Sequence, residues 1–277
     1  MHSRRKGGPR RKNVTKKPAV MRQGLAFAIL PLTLACTNAL AQAAPGGTLD
    51  PNTIPKYVTP LVIPPVLFDD NGGLSPLNVS VALREFQQQV LPAGFPTTTL
   101  WGYCDGSQPG TATCNNPAYT FEVTRNTPTT VTWKNELVDA QGGFLPHVIK
   151  DANGDPVIDQ TLHWAAPNGS VICDGLEVTD CRGVMPDAAL PYTGPVPMVT
   201  HVHGAHVGPV SDGYPEAWWL PNANNLAGYA TTGTFYDTAA PAAPGSAVYS
   251  YPNDQPSSTL WFHDHSLGIT RLNVYAA

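Results

Sequence analysis

Apolar and polar positions alternate in several short stretches of the chain. Val79, Val81 and Leu83 are spaced by two, as are Tyr119, Phe121 and Val123, and again Val131 and Trp133. A period of two places every second side chain on one face, so these read as half-buried strands. Asn126-Thr127-Pro128 separates the second stretch from the third, which predicts a hairpin-like pair. Residues 197–203, 259–265 and 271–277 also read as strand-like. Residues 136–197 are rich in Gly, Pro and Asp, with a turn cluster at Asp151-Ala-Asn-Gly-Asp155, and read as long loops with short strands. Residues 221–246 read as loop. No sustained helical period occurs beyond the first 44 residues, and no internal repeat is visible.

Two segments before the first strand differ in character. Residues 24–35 (GLAFAILPLTLA) form an apolar run too short to span a bilayer as a helix. Nine Lys/Arg and no acid occupy residues 1–44, with small residues at Ala39, Ala41, Ala43 and Ala44. A positive stretch, a short apolar run and small residues describe an export signal over 1–44. Paired arginines are compatible with either the general or the twin-arginine route. Residues 45–70 carry Pro at 45, 51, 55, 60, 64 and 65 and few charges, as expected of an extended N-terminal arm.

Composition agrees with a β-rich chain. Pro (29) and Gly (25) are abundant among 277 residues and only 13% are charged, which disfavours a helical bundle. After residue 44 the chain holds seven Lys/Arg against twenty Asp/Glu, so the net −4 conceals a body near −13. Such an acidic body argues against nucleic acid as a partner, because phosphate contacts need clustered cations. No stable membrane span is expected. Export implies an oxidising setting, secreted or periplasmic, where disulfides are the default state of cysteine. Beyond Cys36 the cysteines are Cys104, Cys114, Cys173 and Cys181. Local pairing, 104–114 and 173–181, is the most economical of three connectivities.

The candidate chemistry lies in the histidines. His201-Val202-His203 and His263-Asp264-His265 repeat one pattern, and each presents two imidazoles on one side of a strand. If the strands are neighbours, four imidazoles converge, a cluster that asks for a metal such as copper or zinc.

These segments resemble the multicopper oxidases, in particular the bacterial laccase-like branch. The matching stretches are THVHG (200–204), SDGYPEAWW (211–219) and LWFHDHSLGITRLNVYA (260–276), with weaker matches at LWGY (100–103), FEVTRN (121–126) and VTWKN (131–135). The resemblance implies an all-β, cupredoxin-like Greek-key sandwich or barrel lacking its last strand. It makes 71–277 a truncated first cupredoxin (plastocyanin-like) domain. It also implies copper ligands: His201 for the type 2 ion, and His203, His263 and His265 for the type 3 ions of a trinuclear centre. In the family that centre reduces O2 to water with electrons from phenolic, other aromatic or metal-ion donors. Asp212 matches an acidic position near the centre that serves proton delivery, although Ser-Asp-Gly is equally a turn. Trp218, Trp219, Trp261 and Phe262 read as packing, and His147, His163 and His206 as structural or surface residues. The remaining ligands and the type 1 copper motif, HCHxxxH, do not occur in this chain. An incomplete, inactive fragment needing further C-terminal cupredoxin domains is therefore expected. The alternative is an exported copper-binding protein without catalysis.

Overall fold

The computed structural model describes residues 50–67, 78–160, 162–167 and 191–277, and the backbone of two short strands between them. All of these fall within one unit, Gln42–Ala277. Among the described residues eight strands appear in chain order: β1 (Asn78–Gln88), β2 (Thr98–Asp105), β3 (Thr129–Asn135), β4 (Val171–Cys173), β5 (Leu176–Val178), β6 (Thr200–His203), β7 (Ser246–Tyr251) and β8 (Trp261–Asp264). One helix, α1 (Thr270–Ala276), follows. The all-β class read from the alternation holds. Among the described residues no helix is long and apolar enough to cross a membrane.

A four-stranded sheet in the order β2-β1-β3-β7 forms the base. β1 pairs antiparallel with β2 and parallel with β3, and β3 pairs antiparallel with β7. In β3 the alternation is complete: Thr129, Val131, Trp133 and Asn135 are buried and the residues between them are half-buried. β1 is central and buried on both faces from Val81 to Arg84. Its buried guanidinium is matched: Arg84 Nε donates to Glu136 Oε2 at 2.7 Å and a second nitrogen donates to the Gly110 carbonyl at 2.6 Å. An unpaired cation there would cost several kcal/mol.

A second layer is the two-stranded ribbon β6-β8. It packs on the base through Phe262, whose ring lies 5.3 Å from both Tyr103 and Trp133 and 5.5 Å from Phe121, centroid to centroid. These edge and tilted contacts make a two-layer sandwich with an aromatic centre. Among the described residues the sheets do not close into a barrel. A groove of about 640 Å³ opens over the same aromatic rings, lined by residues 116–121 and 258–264.

Two expectations are corrected. Residues 271–277 form helix α1 instead of a strand. Ile269, Asn273 and Ala276 are buried there while Tyr275 is exposed, an i, i+4, i+7 spacing hidden by the strand-favouring Val274 and Tyr275. The helix begins after a reversal at Gly268, where φ is +70° and a Cβ would strike the His163 carbonyl. Residues 119–123 do not form a hairpin with β3. Thr120 makes an isolated bridge to Val66, and the neighbours of β3 are β1 and β7. Phe121 still packs on Trp133, 6.0 Å between centroids. Its side chain therefore joins the core without its backbone joining the ladder. β7 starts at Ser246, the last residue of the stretch read as loop.

The described part of the N-terminal segment, 50–67, opens with a single 3-10 turn, Pro51–Thr53, capped by the Asp50 side chain. Tyr57, Leu61 and Ile63 are exposed, and the Val66 bridge and buried Leu67 anchor its end. Residues 1–49, which include the export signal expected over 1–44, lie outside the described residues, as do the side chains of Cys173 and Cys181. Cys104 on β2 is joined to Cys114 by a disulfide, as local pairing predicts. The closed loop is short, so its loss should cost about 2–3 kcal/mol, mainly by freeing the unfolded chain. The double variant Cys104→Ala/Cys114→Ala is expected to show that loss as a lower midpoint in urea at unchanged slope. An unchanged midpoint would mean the loop is held by its other contacts.

Candidate metal centre

β6 and β8 run antiparallel, with His201 opposite His263, Val202 opposite Phe262, and His203 opposite Trp261. This register decides everything about the site. The face carrying Val202 and Phe262 packs inward. Alternation then puts His201, His203, Trp261, His263 and His265 together on the other face. A slip of one residue would have separated the two pairs.

The four imidazoles do meet. Ring centroids are 5.6 Å apart for His201 and His263, 4.8 Å for His201 and His265, 5.7 Å for His203 and His263, and 5.5 Å for His263 and His265. His201, His203 and His263 each offer a nitrogen, all within 4.8 Å of one another. Backbone carbonyls set the tautomers of two rings. Nδ1–H of His201 donates to the Asp212 carbonyl, and Nδ1–H of His263 donates to the Asp264 carbonyl at 2.6 Å. In both cases Nε2 is left bare, with a lone pair that a metal could take up. His203 Nδ1 approaches His263 Nε2 at 3.4 Å. His265 Nδ1 is buried and finds no hydrogen-bond partner among the described residues. A buried orphan nitrogen beside three others is what a bound cation would satisfy.

Electrostatics favour the same state. Burial holds the His263 imidazole below the usual histidine range, and His201 and His203 push it further down. His265 is lowered by burial and then by His201 and His263. Both rings therefore stay neutral, the form that binds metal, to lower pH than a free histidine.

Asp212 ends a 3-10 turn, Pro209–Ser211, and reaches the site in two ways. Its carbonyl holds His201, and its carboxylate Oδ1 lies 3.5 Å from His201 Nδ1. Gly213 makes this approach feasible: φ is +75°, and a Cβ there would collide with the Thr200 carbonyl. The other described histidines have different surroundings. His147 is buried, hydrogen-bonded on both nitrogens and held down to about 4 by burial. His206 is exposed and pairs with Asp254 at 2.7 Å. His163 is half-buried.

Trp218, Trp219 and Phe262 pack as read from the sequence, but Trp261 does not belong to the core. It is 57% exposed and stacks on His203 at 5.1 Å and on His263 at 4.4 Å. Its position two residues before His263 was the available signal. The role of the Asp212 and Asp264 carbonyls had none, because backbone groups carry no sequence mark.

No protein-family model matches the chain. It is 32% identical over 224 residues to a laccase of Bacillus subtilis (strain 168), covering 81% of this chain and 32% of that protein. A laccase of Haloferax volcanii is 31% identical over 227 residues, 81% of this chain and 30% of that protein. Multicopper oxidase LPR1 homolog 1 of Oryza sativa subsp. japonica is 28% identical over 208 residues, 74% and 26% respectively. Among solved structures, a multicopper oxidase from Campylobacter jejuni aligns at TM-score 0.44 and 15% identity, over 85% of this chain and 30% of that one. The chain spans about a third of the length of the curated relatives it matches. A run of laccase-like sequence covering four fifths of its residues leads to one conclusion: the chain belongs to the multicopper oxidase family.

Proposed function

We propose that this chain is the copper-binding first cupredoxin domain of an exported laccase-like oxidase. In this reading His201 supplies the type 2 copper, and His203, His263 and His265 supply the type 3 coppers. Copper bound there would relay electrons taken from a donor, four of them with four protons turning O2 into two waters. The donors would be phenolic, other aromatic or metal-ion substrates. One observation carries the proposal: two antiparallel strands put four imidazoles on one face, with His201 and His263 turned by backbone carbonyls so that Nε2 faces outward. Imidazole nitrogen suits copper, and the outer hydrogen bonds raise ligand basicity.

The chain's own groups then have defined tasks. The carbonyls of Asp212 and Asp264 orient two rings. The Asp212 carboxylate, half-exposed beside His201, can hold a proton at the edge of the site and pass it inward. Four imidazoles are half of a three-copper set, and no type 1 ligand pattern accompanies them, so the chain by itself does not turn over. Further cupredoxin domains would complete the centre. The groove lined by Tyr119, Phe121, Val202 and Phe262 is an apolar recess where additional polypeptide could pack. Copper titration of the purified chain tests the reading. It is expected to bind Cu(II) with an EPR spectrum showing nitrogen ligands and to consume no O2 with a phenolic donor. Copper binding no tighter than that of a histidine-free β-protein would overturn it. Coding sequence after codon 277 that contains HCHxxxH would favour the oxidase over a storage protein.

A further inference from the structure

Behind the imidazole face lies a buried polar group that the copper reading does not use. Asp264 stands between two of the histidines, yet its side chain points the opposite way and is 4% exposed. Oδ1 accepts from the Val199 N–H at 3.0 Å and lies 2.9 Å from the Ser266 hydroxyl. Oδ2 accepts from the Ser266 N–H at 3.0 Å and from Asn273 Nδ2 at 2.9 Å. Asn273 belongs to α1 and is 2% exposed. Its amide nitrogen also donates to the Pro197 carbonyl at 3.1 Å, and its Oδ1 faces Nε2 of His147 at 3.1 Å.

The proton positions follow in order. The Ile149 N–H donates to His147 Nδ1 at 3.1 Å, so that nitrogen is bare and Nε2 carries the hydrogen. Nε2–H donates to the Asn273 oxygen, which turns the Asn273 amide nitrogen toward Asp264. Every polar atom of the triad has a partner.

The donors come from three places. Val199 immediately precedes β6, Ser266 follows β8 by two residues, and Asn273 is on the helix. A buried carboxylate rarely adds stability over an apolar residue of its size. What it specifies is geometry, because four directional bonds hold only in one arrangement. Any slip of β8 along β6, or rotation that turns the histidines away, breaks them.

We infer that Asp264 and Asn273 are positioning residues. They lock β6 and β8 in the register that sets the four imidazoles on one face, with His147 orienting Asn273 from behind. The inference rests on the metal reading above. The test uses the full chain and Cu(II) alone. Asn273→Leu is expected to keep its far- and near-ultraviolet circular dichroism. It should bind copper about tenfold more weakly, within the range that loss of an outer-shell partner costs a metal site. Its EPR spectrum should broaden into more than one species. A core variant on β1, Val79→Ala, should lose stability and keep the wild-type spectrum, which separates positioning from general weakening. If Asn273→Leu does not fold, Asn273→Ser, which leaves room for a water, takes its place with the same expectation. Wild-type affinity and a single wild-type spectrum in the Asn273 variant would overturn the inference while leaving the metal reading standing. If His201→Ala also leaves copper binding unchanged, the metal reading falls and this inference falls with it.

Discussion

A chain carrying both His201→Ala and His263→Ala should bind copper more weakly by on the order of 100-fold or more, since losing only an outer-shell partner already costs 10–100-fold. The two residues face each other across the ribbon, one from each strand. Their removal leaves His203, opposite Trp261, and His265 at opposite ends of the cluster, with no ligand opposite either. Neither residue is in the hydrophobic core, so the fold should survive. In the copper-free state the variant should be at least as stable as the parent, because four crowded imidazoles without a cation are a cost. Thermal unfolding shows both effects together. Copper at about 100 times the parent's dissociation constant should stabilise the parent by about 2.7 kcal/mol, and the variant, at 100-fold weaker binding, by about 0.4 kcal/mol or less. A copper-dependent rise in Tm equal to the parent's would rule out this face as the binding site.

The second large effect is a reversal in the pH dependence of stability. His147 is buried and neutral, held down to about 4 by burial. In the unfolded chain it has an ordinary histidine value near 6.5, so on acidification the unfolded state takes the proton first. Its contribution is present above about pH 6.5 and lost as pH falls toward 4, about 3 kcal/mol in all. Asp264 works in the opposite sense. Burial raises its carboxyl from 3.8 to about 6 against the pull of its donors. Its contribution is complete below 3.8 and lost as pH rises through 6, again about 3 kcal/mol. Between pH 6 and 4 the two slopes oppose each other, and these two groups together leave stability nearly level. His147→Phe removes one slope. At pH 7 the variant should be weaker by about 2 kcal/mol, because Ile149 N–H and the Asn273 oxygen lose their partner. On going to pH 4 it should gain on the parent by about 3 kcal/mol, the whole of the histidine contribution. Urea midpoints at pH 7, 5.5 and 4 in the presence of a chelator measure this. A constant gap between variant and parent would show that the fold does not hold the His147 imidazole below its ordinary range.

The two effects draw on opposite faces of β8, one carrying His263 and the other Asp264. This arrangement explains why a motif of three residues does so much. In a strand the middle residue of His-Asp-His cannot share the side of its neighbours, so a polar residue there must be buried. It becomes tolerable only because Val199, Ser266 and Asn273 bring donors to it.

Much of this was present in the chain as written. Alternation in 79–83, 131–133 and 197–203 marks strands because a period of two is a property of the local backbone, needing no knowledge of partners. The same geometry puts His201 with His203, and His263 with His265. The local disulfide at Cys104 and the likeness to laccases are equally legible, since both are carried by short spacings. The tertiary structure alone decided that His201 sits opposite His263, that β3 lies between β1 and β7, that Phe121 enters the core without a ladder, and that residues 270–276 coil into a helix. Each of these depends on contacts between segments tens of residues apart. Pairing and burial are set by which distant surfaces cover one another, and neighbouring residues do not record that choice.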